Sequence, residues 1–259
     1  MPYIESFDGC RLAVSTEGRE DAPAILLSHY LGGSKGTWKN QIEALREDFR
    51  LVSFDTRGQG ESEVRPGPYH VEVLARDALA VMETLGLDQV DFIGASQGAM
   101  GGMWLAIHHP ERIRRLVLAN TTPFIPNKDI WDQLAARARA EGMAQIADST
   151  IRSWLCEAFK SAHPQATQGL VDIMASLDVE GYAANTAVLR DVDLRSGLAA
   201  ISCPVLVIGG TEDGPRGASA PVMAASVKQG RLVMIEQAAH LSHLENPAAF
   251  NAALKEFLQ

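Results

Sequence analysis

Cysteine is scarce in this 259-residue chain: Cys10, Cys156 and Cys203, odd in number and far apart. That argues against a disulfide framework, suits a reducing cytosol, and leaves no pair at zinc-ligand spacing. Positive charge is also in short supply. Twenty-three Lys+Arg face 32 Asp+Glu, a formal net charge of −9, so the electrostatic footprint of a nucleic-acid binder is missing. No apolar run approaches the ~18–20 residues of a membrane span. The opening Met1-Pro2-Tyr3-Ile4-Glu5 lacks a basic region followed by an apolar stretch. No secretory leader is expected, and the cytoplasm is the expected compartment. There is neither an internal repeat nor a low-complexity segment. What remains is 46% apolar and long enough for one large domain or two small ones with ample core.

Short apolar runs alternate with helical patterns. Strands are predicted at Tyr3–Phe7, Arg11–Thr16, Ala24–Ser28, Leu51–Phe54, Val90–Ile93, Leu116–Ala119, Val205–Ile208 and Leu232–Ile235. From Ala24 onward they are apolar without alternation, as strands buried on both faces of a parallel sheet are. Asp8-Gly9 marks a hairpin between the first two. Val71, Leu74, Ala75, Ala78, Val81, Met82 and Leu85 keep a helical rhythm that Gly86 stops. A last helix opens at Asn246-Pro247 and carries Phe250, Leu254 and Phe257 on one face. Such alternation implies crossover units and a doubly wound sheet. Residues 122–195 break the pattern with helical stripes only, Ile130/Leu134/Ala138 and Ile151/Leu155/Phe159. They are expected to form a helical lid on a core built from residues 1–121 and 196–259; further peripheral helices of the same layer are the alternative.

Gly94-Ala95-Ser96-Gln97-Gly98 follows a predicted buried strand and precedes a helical stretch. This is the G-x-S-x-G nucleophile elbow in strand–turn–helix context. The turn is tight enough that side chains two before and two after the serine would collide, and the helix behind it aims N–H groups where an oxyanion develops. The competing dinucleotide and phosphate-loop spacings are not met. A serine hydroxyl needs a base. Of seven histidines, His240 follows the strand Leu232–Ile235 and is preferred over His243, which is expected to enter the next helical turn. Asp213 follows Val205–Ile208 and is preferred over Glu212, whose side chain leaves the strand in the other direction. The order Ser96, Asp213, His240 is the one this chemistry has on such sheets. The loop His29-Tyr30-Leu31-Gly32-Gly33 follows Ala24–Ser28. Its Leu31 N–H, with that of Gln97, is the expected oxyanion hole.

Together these residues resemble the α/β-hydrolase superfamily. Three further stretches narrow the likeness to the 3-oxoadipate enol-lactonases: Phe54 to Ser62 followed by Pro66-Gly67-Pro68-Tyr69, His109 to Thr121, and Ala238 to Pro247, with the segment Trp154 to Asp193 between them. The resemblance spans nearly the whole chain. It implies an eight-stranded, mostly parallel sheet with a helical lid. It departs from the family at Gln59, where histidine is usual, at Gln97 and Ala99, where methionine and glycine are usual, and in Gly214-Pro215-Arg216-Gly217. Gln97 stands where its side chain could reach the pocket.

The expected activity is cleavage of a small ester or lactone through an acyl-enzyme, of the enol-lactonase type by resemblance, with no metal or organic cofactor. Two readings compete: a general carboxylesterase or C–C bond hydrolase with the same triad, and a non-catalytic small-molecule binding protein. A dicarboxylate-derived lactone would need a local cation in a chain of this charge. Arg137 and Arg190 are lid candidates, or solvated surface residues. Trp131 and Trp154 are candidates for the pocket roof or for lid packing, and His29 and Tyr30 add a polar and a bulky group to the oxyanion loop.

Overall fold

The computed structural model describes residues 3–259. Met1 and Pro2, the first two positions of the leader reading and of the expected core segment 1–121, lie outside the described residues. Each predicted strand forms: β1 Tyr3–Glu5, β2 Arg11–Gly18, β3 Ala24–Ser28, β4 Arg50–Phe54, β5 Val90–Ala95, β6 Ile113–Ala119, β7 Val205–Gly210 and β8 Gly230–Ile235. The helices are α1 Lys39–Leu45, α2 Val71–Thr84, α3 Gln97–His108, α4 Asp129–Glu141, α5 Met143–Trp154, α6 Glu157–Ala162, α7 Pro164–Ala175, α8 Val179–Asp191, α9 Ser219–Ser226, α10 Ser242–Glu245 and α11 Pro247–Leu258.

All eight strands join one sheet in the order β1-β2-β4-β3-β5-β6-β7-β8. The β1–β2 and β2–β4 pairs are antiparallel and every later pair is parallel. β3, β5 and β7 are buried at every residue. That is why their sequences carry no polar alternation: helices flank the sheet, α1 against α11 and α2 against α3. β8, at the edge, is exposed over its first three residues. The connectivity reverses between β3 and β5, since β3 leads outward to β4 and the chain then crosses back. A crevice opens beyond the carboxyl ends of two such strands, where a doubly wound sheet puts its ligands.

Between β6 and β7 the chain makes a helical excursion, α4 to α8. An isolated antiparallel bridge, Phe124 with Asp193, closes its base. α4 packs on α8 and α5 on α7. The stripe expected on α4 is kept in part: Ala138 is buried and Leu134 half-buried, but Ile130 is 45% exposed and Ala135 takes its place on the buried face. Small residues there let α4 approach α8 closely, which an Ile/Leu stripe would prevent. Ile151, Leu155 and Phe159 are buried as expected, but α5 ends at Trp154, so the stripe continues across a helix break.

One buried ion cluster ties the antiparallel edge to the core. Arg57 donates Nε and Nη2 to the Asp77 carboxylate, both at 2.6 Å, and Nη1 and Nη2 to Asp8 at 2.8 and 3.1 Å. Its guanidinium also faces Phe7 and Tyr69. No helix among the described residues is long and apolar enough to cross a membrane.

Candidate active site

β5 delivers Ser96 into a strained turn. Its φ of 50° and ψ of −115° lie in a region that L-residues seldom occupy. The neighbouring glycines make the turn possible. A Cβ on Gly94 would stand 2.5 Å from the backbone of Ala99, and one on Gly98 would overlap the carbonyl oxygen of Ser28. The turn is further held by Ser96 N–H donating to Ala119 O and by the Thr121 hydroxyl donating to Ser96 O, both at 2.8 Å.

Three side chains from the ends of three strands meet there. Ser96 Oγ is 3.1 Å from His240 Nε2, and His240 Nδ1 is 3.0 and 3.2 Å from the two oxygens of Asp213. The tautomer that satisfies both contacts carries its proton on Nδ1, leaving Nε2 to accept from the serine hydroxyl. Ser96, His240 and Asp213 are 7%, 8% and 1% exposed. Burial alone would raise the Asp213 pKa. Hydrogen bonds and charge from His240, with hydrogen bonds from Arg216 and Asn120, outweigh that and hold the carboxyl below its usual range. Glu212, the rejected neighbour, is exposed.

Several residues that support this arrangement had no motif to announce them. Asn120, in a left-handed conformation at the end of β6, donates to Asp213 Oδ2 at 3.3 Å and to Ala239 O at 2.9 Å. The Ser242 hydroxyl in turn donates to its Oδ1 at 2.5 Å. Glu245 accepts three backbone N–H groups: Cys156 at 2.6 Å, and Ala239 and Leu241 at 3.0 Å. It thereby bolts the loop carrying His240 to the α5–α6 corner, and His240 N–H donates to Trp154 O at 2.9 Å across the same seam. A position one residue past a strand, as at Asn120, was the available signal. Glu245 offered none, because its partners are backbone groups up to 89 residues distant.

Leu31 and Gln97 present backbone N–H groups that have no protein acceptor among the described residues. The adjoining Gly32 N–H is occupied, donating to Gln59 Oε1 at 2.5 Å. Gln59 Nε2 donates to Gln97 Oε1 at 3.2 Å, and Gln97 Nε2 donates to Asn185 O on α8 at 2.9 Å. Two of the departures from the enol-lactonase pattern, Gln59 and Gln97, therefore touch each other. The Gln97 side chain runs to Gln59 and α8 instead of the pocket, and is fully buried.

A cavity of about 420 Å³ opens on Ser96 and His240. Its walls are mainly apolar, from Leu31 and Met100 below to Ile125, Trp131, Trp154 and Leu189 above. Both tryptophans thus line it. Four other expected pocket residues do not. His29 is fully buried, with one ring nitrogen 2.8 Å from Tyr30 O and the other accepting from Thr56 N–H at 3.0 Å. Tyr30 points away, edge-on to Trp154 and His243, and is 1% exposed. The chain turns here, with Gly33 N–H donating to Tyr30 O at 3.0 Å, and Leu31 is the residue of the loop that lines the cavity. Arg137 pairs on the surface with Glu141, and Arg190 with Asp132 and Asp191. Each lies on the outer side of its helix, where carboxylates neutralise it. The cation that does line the cavity is Arg216.

The alpha/beta hydrolase fold family matches residues 23–156. The chain is 33% identical to a 3-oxoadipate enol-lactonase of Acinetobacter baylyi, over 96% of this chain and 93% of that protein. Among solved structures, the enol-lactonase from Burkholderia xenovorans LB400 superposes with a TM-score of 0.95 at 35% identity, covering 99% of each chain. A hydrolase from Pseudomonas aeruginosa PA01 gives 0.94 at 36%, over 99% of this chain and 97% of that one. The chain belongs to the alpha/beta hydrolase fold family. Within it, these relatives put the chain beside the enol-lactonases.

Proposed function

We propose that this protein is a serine hydrolase that opens a small lactone or ester through an acyl-enzyme, with an enol-lactone of the 3-oxoadipate type as its substrate. Ester or lactone hydrolysis is the class its relatives indicate; the serine route and the substrate are the finer reading. One run of contacts carries it: Ser96 to His240 at 3.1 Å and His240 to Asp213 at 3.0 Å. Ser96 Oγ attacks the carbonyl as His240 Nε2 takes its proton, and buried Asp213 stabilises the imidazolium. The oxyanion receives the N–H groups of Leu31 and Gln97. His240 then protonates the leaving oxygen and activates the water that releases the acyl group. In a lactone the leaving oxygen stays tethered and could attack back. Residues 122–195, read as a lid, supply Trp131 and Trp154 to the cavity and would hold that oxygen away.

The test has two arms. Ser96→Ala should lower kcat by about 10⁴-fold or more while the circular dichroism is unchanged. A serine-directed fluorophosphonate should label the parent protein and not the variant. Retained activity in Ser96→Ala would exclude the mechanism. For the substrate, loss of the enol-lactone chromophore is followed beside a panel of simple esters. Faster cleavage of the simple esters would replace the lactonase by a general carboxylesterase, which the apolar walls also suit.

A further inference from the structure

The cavity walls are mainly apolar, and the protein carries a net charge of −9. Both features disfavour an anionic substrate, by desolvation and by the long-range field. One side chain opposes them. Arg216, 45% exposed, is the single permanently charged residue that lines the cavity. Its guanidinium is half committed: Nε donates to Asp213 Oδ1 at 3.0 Å and Nη2 to Ser153 O at 2.7 Å. Nη1 has no acceptor among the described residues. Two bonds fix the plane of the fork and leave one donor group to an incoming ligand. The lid arginines cannot substitute, because each is already paired with carboxylates outside the cavity.

Building on the hydrolase reading, whose lactone substrate already carries a free carboxylate, we propose that Arg216 is the anchor for that group, so that esters bearing a distal carboxylate are preferred over their neutral counterparts. Planar, charged and held on two sides, a guanidinium suits a carboxylate better than any other group the cavity presents. The same side chain touches the triad. Bonded to Asp213 with no ligand on Nη1, Arg216 draws on the negative charge that Asp213 offers to the His240 imidazolium. A substrate carboxylate against Nη1 offsets that draw, so the anion that is recognised also strengthens the base that attacks.

The experiment compares p-nitrophenyl butyrate with the mono-p-nitrophenyl ester of glutarate, the same acyl chain bearing a terminal carboxylate, in the parent protein, Arg216→Gln and Arg216→Lys. The ratio of kcat/KM for the glutarate half-ester over the butyrate should fall roughly 10- to 100-fold in Arg216→Gln, the size of one charge-assisted contact. Arg216→Lys should restore part of it. The support that Arg216 gives Asp213 without a ligand is lost for both substrates and cancels in the ratio, whereas the contact to the substrate carboxylate, with its effect on Asp213, does not. An unchanged ratio, even with both rates lowered, would overturn the proposal and leave Arg216 as a support for Asp213 alone. Calorimetry with glutarate, which needs no turnover, separates this inference from the hydrolase reading. Glutarate should bind the parent protein and bind Arg216→Gln at least tenfold more weakly. Equal binding by both would sink the anchor, whereas selective binding in a protein that cleaves no ester would sink the hydrolase and keep the anchor.

Discussion

His243, three residues after the candidate base, makes the protein acid-sensitive in a way that can be worked out from its surroundings. It is fully buried, with its ring 4.7 Å from that of Trp38, 5.8 Å from Tyr30 and 5.9 Å from Phe250. Neither ring nitrogen has a hydrogen-bond partner among the described residues. Burial, assisted by the nearby His240 and His29, pulls its pKa from 6.5 down to about 3. The unfolded chain therefore takes up a proton near pH 6.5 that the folded protein refuses until about pH 3. Stability from this group is complete above pH 6.5 and is lost progressively as pH falls through that window. Each pH unit is worth about 1.4 kcal/mol, so at pH 5.0 the loss is about 2 kcal/mol, a sizeable part of the ~5–15 kcal/mol of an ordinary domain. Replacing the ring by one that cannot titrate, His243→Phe, keeps the aromatic contacts and removes two orphaned polar atoms. Guanidinium unfolding of both proteins at pH 7.5 and 5.0 is the measurement. Subtracting the two pH values removes any constant packing difference. The parent should lose about 2 kcal/mol more than the variant. Equal losses would show that a neutral His243 contributes nothing to the acid response, and the argument from its burial would be wrong.

Gln59 bears on the oxyanion loop through Gly32. Gln59→Leu should strand that N–H, lowering stability by about 1–3 kcal/mol, and lower kcat more than it raises KM as the Leu31 donor shifts; steady-state kinetics beside a thermal melt reads both. Asp77→Leu leaves the Arg57 guanidinium buried beside Asp8 alone and should cost about 3–5 kcal/mol in denaturant unfolding. A change under 1 kcal/mol would mean that Asp8 and solvent suffice for Arg57.

The elements most legible beforehand were those whose signal is local. β3, β5 and β7 are runs buried on both faces, and they fall within two residues of where apolar composition puts them. Asn246 caps α11 by accepting from Ala249 N–H, as an Asn-Pro opening predicts. Ser96 was legible for a related reason: steric crowding requires glycine at both 94 and 98, which leaves a visible spacing. The pocket was less legible. Arg137 and Arg190 were chosen for charge and segment, but a helix hides from its sequence which face an arginine takes when both faces are amphipathic. Ile130 misled for the same reason on α4.

Arg216, Gln59 and Glu245 belong to another category, since what each does depends on groups distant along the chain. Gln59 meets Gln97 across 38 residues and Glu245 meets Cys156 across 89. The amino-acid order by itself determined the strands, their burial, the turn at Ser96 and the three residues offered after β5, β7 and β8, because each follows from local sterics and solvation. Tertiary structure alone decided which cation faces the cavity and that His243 stays dry. Those outcomes rest on packing between segments with no shared periodicity, and no short-range rule connects them.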